Sequence, residues 1–197
     1  MTGKGRLLQL LRERSFERKK VVLASGKESD FFIDCKQTVL TAEGHALVGE
    51  VMLDALAALP GFLGAAVQSP GRAVAGVELG GCPLASAVAL TSWTRKTPLD
   101  AIYVRKDAKD HGSRRLLEGN PRLAAGASVA ILEDVITTGG STLKAVAKLR
   151  DAGYAVAGVV VLVDRSEGGR EALLAAGLAV ESIFLRREFM PDEALSS

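Results

Sequence analysis

Two cysteines, two histidines and one tryptophan occur in 197 residues, and aromatics make up only 5%. Cys35 and Cys82 lie far apart and belong to no C-x-x-C pattern, so they are expected to be reduced, buried small hydrophobes of a cytoplasmic protein. No apolar run approaches the roughly 18 residues that a membrane span requires. Charges interrupt the leucines of the first twenty residues, which therefore lack the apolar core of a signal peptide. Net charge is only +2, so the whole molecule is not a polyanion binder. Internal repeats, low-complexity segments and interdomain linkers are also missing. What remains, 48% hydrophobic and 24% charged, is the composition of a globular chain long enough to bury a core as one domain.

Charge is modest overall but unevenly placed. Five Lys/Arg and two Asp fall between Arg105 and Arg115, a local excess of +3 that leaves the rest of the chain at −1. The segment YVRKDAKDHGSRRLLEGN has little apolar patterning, and Gly112 and Gly119 would let it hinge. On its residues alone it reads as a solvated surface loop or as a nucleic-acid patch. A nucleic-acid patch is disfavoured, because no aromatic residues interleave with the charges for base stacking.

Against this background the stretch Ser128–Lys148, SVAILEDVITTGGSTLKAVAK, stands out. Val129–Leu132 is the short apolar run of a buried parallel strand. Two carboxylates, Glu133 and Asp134, follow, then Thr137-Thr138-Gly139-Gly140-Ser141, then a helical pattern with Leu143, Val146 and Ala147 on one face. Strand, polar turn and helix in that order form a phosphate-binding half-unit: glycines admit the ligand, hydroxyls donate, and the helix start offers unpaired N–H groups. Carboxylates repel phosphate, so something neutral or cationic must separate them from it. A ribose 5-phosphate meets that demand, its hydroxyls donating to the acids while the turn takes the phosphate. The acids would also favour positive charge developing on the ring. The stretch contains neither G-x-x-x-x-G-K-[ST] nor G-x-G-x-x-G.

The rest of the chain is read by periodicity. Residues 4–14 predict an amphipathic helix, and VVLASGKESDFFID two short strands about a Ser25-Gly26-Lys27 turn. Val48, Val51, Met52, Ala55, Leu56 and Leu59 form a ladder on a helix over about 42–58, with His45 expected as an exposed residue near its start. Strands are expected near 63–67, 73–77, 100–104, 156–163 and 180–185, and helices over 83–94, 141–152 and 170–176, the last two closed by Gly153 and Gly177. Strands alternating with helices predict an α/β fold: an open, mostly parallel twisted sheet flanked by helices. Ligands bind at the carboxyl ends of such strands, where the polar segments after Val104, Leu132 and Val163 fall. Arg165, directly after a buried strand at that edge, is suited to a carboxylate through its planar fork, or else belongs to a structural salt bridge.

These residues match a family. EDVITTGGS resembles the 5-phosphoribosyl 1-diphosphate (PRPP) binding signature of type I phosphoribosyltransferases. RKDAKDHG resembles the mobile catalytic loop of the orotate phosphoribosyltransferases among them, VDRSEGG their orotate-contacting segment, and SGKESDFFID their N-terminal hood. The resemblance runs from about residue 21 to 185, with Ala24 and Leu79-Gly80 where some members carry Lys and Tyr-Lys. It implies one phosphoribosyltransferase domain over 1–197: a hood of about 1–40 plus the C-terminal strand, a core of about 41–180, and a mobile loop of about 105–120. It implies that Arg105, Lys106, Lys109 and His111 contact PRPP together with Glu133, Asp134, Val135, Ile136, Thr137, Thr138, Gly139, Gly140 and Ser141. Lys27, Phe32, Thr137 and Arg165 would contact orotate, and Lys109, His111 and Asp134 would carry the catalysis.

The implied reaction is transfer of ribose 5-phosphate from PRPP to orotate, with Mg²⁺ held mainly by PRPP and water rather than by a protein cluster. The implied assembly is a homodimer whose loops act in trans, in the cytoplasm, without nucleic acid or membrane. A purine-type phosphoribosyltransferase would have little use for Arg165. A PRPP-binding regulator without turnover would have no need of a leaving-group lid.

Overall fold

The computed structural model describes residues 2–22, 28–63, 71–107, 116–119 and 123–190. The chain opens with helix α1 (Gly3–Arg14), the hairpin strands β1 (Phe16–Val22) and β2 (Glu28–Ile33), a short helix α2 (Lys36–Val39) and helix α3 (Ala42–Ala55). There follow β3 (Arg72–Val77), α4 (Gly81–Thr94), β4 (Asp100–Val104), β5 (Leu117–Glu118), β6 (Ser128–Ile136), α5 (Gly140–Asp151), β7 (Ala155–Asp164), α6 (Gly169–Ala175) and β8 (Val180–Leu185). Strands β3 to β8 make one six-stranded sheet in the order β5-β4-β3-β6-β7-β8. All its neighbours are parallel except the two-residue β5, which returns antiparallel along β4.

The central strands are apolar runs because they are covered on both faces. Val74, Ala130, Leu132, Val160 and Leu162 face one way, onto Leu7, Val48, Met52, Leu84 and Val88 of α1, α3 and α4. Their alternates Ala73, Ala75, Val129, Ile131, Val159 and Val161 face Ala145, Val146, Leu149 and Leu173 of α5 and α6. The period-two alternation thus divides one sheet between two apolar layers. Cys35 and Cys82 are buried and unbridged. No helix among the described residues is long and apolar enough to cross a membrane.

The hairpin β1–β2 lies outside the main sheet. It is held by a ring cluster in which Phe31 packs on Phe16 and Phe189 with centroids 5.0 and 5.7 Å apart. Arg186 adds an ion pair to Asp30 at 2.6 Å.

Strand β8 lies in the main sheet beside β7, and Phe189, after the turn Arg186–Glu188, packs on Phe16 of the hairpin. Several expectations need correction. The expected strand near 63–67 begins in a turn at Leu63, and 64–67 lie outside the described residues. His45 is half-buried, its Nδ1 3.2 Å from the Val39 carbonyl, because α2 ends against the start of α3. The buried face of α5 is Thr142, Ala145, Val146 and Leu149, so Leu143 lies at its margin and Ala147 is exposed. A buried threonine displaces the apolar pattern by one position there, for a reason that belongs to the site.

Candidate active site

Connections from β3 run outward through β4, whereas those from β6 run the other way through β7 and β8, so the winding of the sheet reverses between β3 and β6. In open α/β sheets the crevice at such a reversal is where ligands sit. The segments Glu78–Gly81 and Glu133–Ser141 border it. Arg105 follows β4 and Arg165 follows β7 at the same edge.

Strand β6 does not stop at Leu132. It pairs with β7 through Glu133↔Val161, Val135↔Val163 and Ile136↔Asp164, so both acids and the two residues after them belong to the strand. Glu133 is 5% exposed, and its Oε2 accepts from the Thr142 hydroxyl at 2.7 Å. That bond is why α5 buries a threonine. Asp134 is half-buried and lies directly against Gly80, where any Cβ would overlap its carboxylate. Burial pushes both carboxyls above their ordinary range; for Glu133, the Thr142 hydroxyl opposes the rise and Asp134 adds to it.

One pH consequence follows. A carboxyl raised by folding contributes stability that is complete below its unfolded pKa and is lost as pH rises through its folded one. For Glu133 the window runs from the ordinary glutamate value up to about 8. Glu133→Gln is therefore expected to flatten the fall in thermal stability between pH 5 and pH 8.5, measured without substrate. One pKa unit corresponds to about 1.4 kcal/mol, so a fraction of the shift is measurable. Parallel pH profiles for the two proteins would remove Glu133 as the source.

The turn after β6 supplies the anion cradle. Gly139 takes φ 80°, a left-handed conformation that favours glycine, and caps α5 without a side chain, leaving the first helical N–H groups open. Thr138, Gly140 and Ser141 are exposed, and the hydroxyls of Thr137, Thr138 and Ser141 make no side-chain hydrogen bond among the described residues. A Cβ on Gly169 would lie 2.5 Å from the Thr137 carbonyl, so the turns opening α5 and α6 pack flush. N–H groups, free hydroxyls and a helix start form a site for a phosphate.

Arg165 sits beside the cradle, its N–H donating to the Ile136 carbonyl at 3.1 Å. Its guanidinium is buried, donates to the Phe31 carbonyl at 3.0 Å and Ser29 Oγ at 3.1 Å, and pairs with Glu167 at 3.0 Å. Arg165 is thus tied into a salt bridge and the hairpin, while its Nε is buried with no hydrogen-bond partner among the described residues. The Phe31 ring packs against this guanidinium, with Arg165 Cζ 5.4 Å from the centroid. Phe32 is half-buried on the other face of β2, with the Lys19 ammonium 3.9 Å from its ring centroid.

Arg105 faces Glu118 at 3.7 Å and Lys106 is exposed. Lys27, Lys109 and His111 lie outside the described residues. Sequence reasoning did not single out Glu78, Thr142 or Lys148, and noted Gly80 only as a departure from the family pattern. Thr142 carried a usable signal, being a polar residue on the inner face of an amphipathic helix, and Gly80-Gly81 marks a close approach after a strand. Lys148 looked like any surface lysine.

This edge of the sheet is that of a phosphoribosyltransferase, and the chain belongs to that family: the phosphoribosyl transferase domain matches residues 67–173. Relatives narrow the assignment to the orotate phosphoribosyltransferases. The chain is 69% identical to the orotate phosphoribosyltransferase of Sorangium cellulosum over 187 residues, 95% of this chain and 93% of the relative. It is 42% identical to that of Bradyrhizobium sp. strain ORS 278, over 95% of this chain and 97% of the relative. Among solved structures, Mycobacterium tuberculosis orotate phosphoribosyltransferase in complex with PRPP superposes with a TM-score of 0.73. That match is 31% identical and covers 95% of this chain and 99% of the other.

Proposed function

We infer that the chain transfers the 5-phosphoribosyl group of PRPP to orotate, releasing orotidine 5′-monophosphate and diphosphate in pyrimidine biosynthesis. The observation that carries this reading is the anion cradle Thr137–Ser141 at the winding reversal, with buried Glu133 and half-buried Asp134 on one side and, on the other, the Nε of Arg165, buried with no partner among the described residues. The cradle takes the 5′-phosphate. Glu133 and Asp134 face the sugar, whose hydroxyls donate to them. Arg165 Nε donates to the orotate carboxylate and, with Thr137, holds the ring nitrogen towards C1 of the ribose. As the C1–N bond forms, the C1–O bond to diphosphate breaks and its electron pair leaves with the diphosphate, while the proton of the orotate ring nitrogen is released to solvent.

Arg105, Lys106, Lys109 and His111 neutralise that departing charge and exclude water, which would otherwise hydrolyse PRPP. Mg²⁺ would be held mainly by PRPP oxygens and water rather than by a protein cluster. Asp134, the better exposed of the two acids, would face such an ion, which would supply charge neutralisation on the diphosphate. The hairpin over Arg165 acts as a hood on the base.

The protein works in the cytoplasm as a homodimer whose cationic loop serves the neighbouring site. Leu90 and Trp93, one turn apart on α4 and 63% and 66% exposed, offer a face for the second copy. The reaction is tested by following orotate absorbance with PRPP and Mg²⁺ beside adenine, hypoxanthine and uracil. Consumption of orotate alone is expected; a preference for a purine would overturn the assignment of the base.

A further inference from the structure

Lys148 belongs to none of the groups assigned above, yet its ammonium donates to two successive backbone carbonyls, Arg105 at 2.7 Å and Lys106 at 2.6 Å. Every other main-chain polar group of those two residues also has a partner. The Arg105 N–H donates to the Leu116 carbonyl at 2.9 Å, and the Lys106 N–H to Glu78 Oε2 at 2.8 Å. Four of four is unusual where the chain leaves a sheet, because such segments ordinarily surrender their main-chain groups to water. The ammonium has three donors and no ion pair among the described residues, so its hydrogen bonds go to the carbonyls rather than to a carboxylate.

The helix that carries Lys148 is the one that opens at the phosphate cradle. Ser141 and Lys148 stand seven residues apart, two turns along one face of α5. Both line a cavity of about 290 Å³ whose other walls include Val104, Arg105 and Lys106. One helix therefore holds the cradle at its start and the backbone of two cations further along.

We propose that Lys148 is a positioning residue: with Glu78 it fixes the backbone at Arg105–Lys106 relative to the cradle, so that the cations meet the diphosphate of a PRPP whose 5′-phosphate the same helix holds. This rests on the reading of Arg105 and Lys106 as PRPP contacts. Losing the clamp leaves the charges in place but lets their direction wander, and misplacement by about 1 Å is enough to cost up to about a hundredfold.

The test is steady-state kinetics of full-length Lys148→Met, which keeps the apolar stem and loses the donors, beside Lys148→Arg and Lys109→Ala. Lys148→Met is expected to lower kcat/KM for PRPP by about 10- to 100-fold. KM for PRPP should rise, with KM for orotate and the melting temperature unchanged, and Lys148→Arg should recover most of the loss. Unchanged kcat/KM in Lys148→Met, with Lys109→Ala impaired, overturns the role of Lys148 alone. A loss that comes with a lower melting temperature and is not recovered in Lys148→Arg shows a merely structural lysine and likewise overturns it. Full activity in Lys109→Ala would instead remove the cationic segment from the reaction, and this proposal with it.

Discussion

Lys109→Ala is expected to lower turnover by about two to three orders of magnitude, the loss typical of removing one preorganised donor from developing charge. The charge in question grows on the leaving diphosphate as the C1–O bond stretches, so the interaction strengthens on the way to the transition state. The loss should therefore fall mainly on kcat, with a smaller rise in KM for PRPP. Lys109→Arg, which keeps the charge but changes its geometry, should lie between. Near-normal turnover in Lys109→Ala would reject the role. The same variant reports on the dimer. If the loop serves the neighbouring site, mixing Lys109→Ala with Arg165→Ala builds hybrid dimers in which one site carries neither lesion, and activity rises well above that of either parent. No recovery after demonstrated subunit exchange would place each loop on its own site.

The alternation of strands and helices was legible because the sheet is covered on both faces. Strands such as Val156–Val163 then read as unbroken apolar runs, and the helices between them carry a 3.6-residue stripe. The cradle was legible for a related reason, since glycines and hydroxyls between a buried strand and a helix have few other uses.

What periodicity missed lies where polar groups are buried in pairs. Glu133 reads as the end of a strand, yet β6 continues because Thr142, nine residues on, supplies the hydrogen bond that a buried carboxyl requires. Read alone, each residue looks like a break in an apolar pattern; only the fold shows that each explains the other. β5, two residues long, has too little sequence to carry a period. Lys148 could not be found at all, because its partners are main-chain carbonyls and a carbonyl has no sequence.

Arg165→Ala is the other substitution expected to act strongly, and it should act on two quantities at once. Removing one side of a buried charge-assisted contact costs about 2–5 kcal/mol. For the orotate carboxylate this predicts a loss in kcat/KM of at least about thirtyfold, with PRPP affinity measured by calorimetry nearly unchanged. The guanidinium also ties the hairpin through the Phe31 carbonyl and Ser29, so the variant should melt earlier, by about 1–2 kcal/mol of hydrogen-bond stabilisation. Arg165→Lys separates the two effects. An ammonium can still reach the Phe31 carbonyl and pair with Glu167, but it has no Nε to present to the base. Its stability should approach that of the parent while orotate use stays impaired. A lysine variant that restores both would make the partnerless nitrogen incidental and Arg165 a strut for the hairpin. Equal losses of orotate and PRPP use in the alanine variant would lead to the same conclusion, since a collapsed hairpin spares neither substrate whereas a missing carboxylate donor spares PRPP.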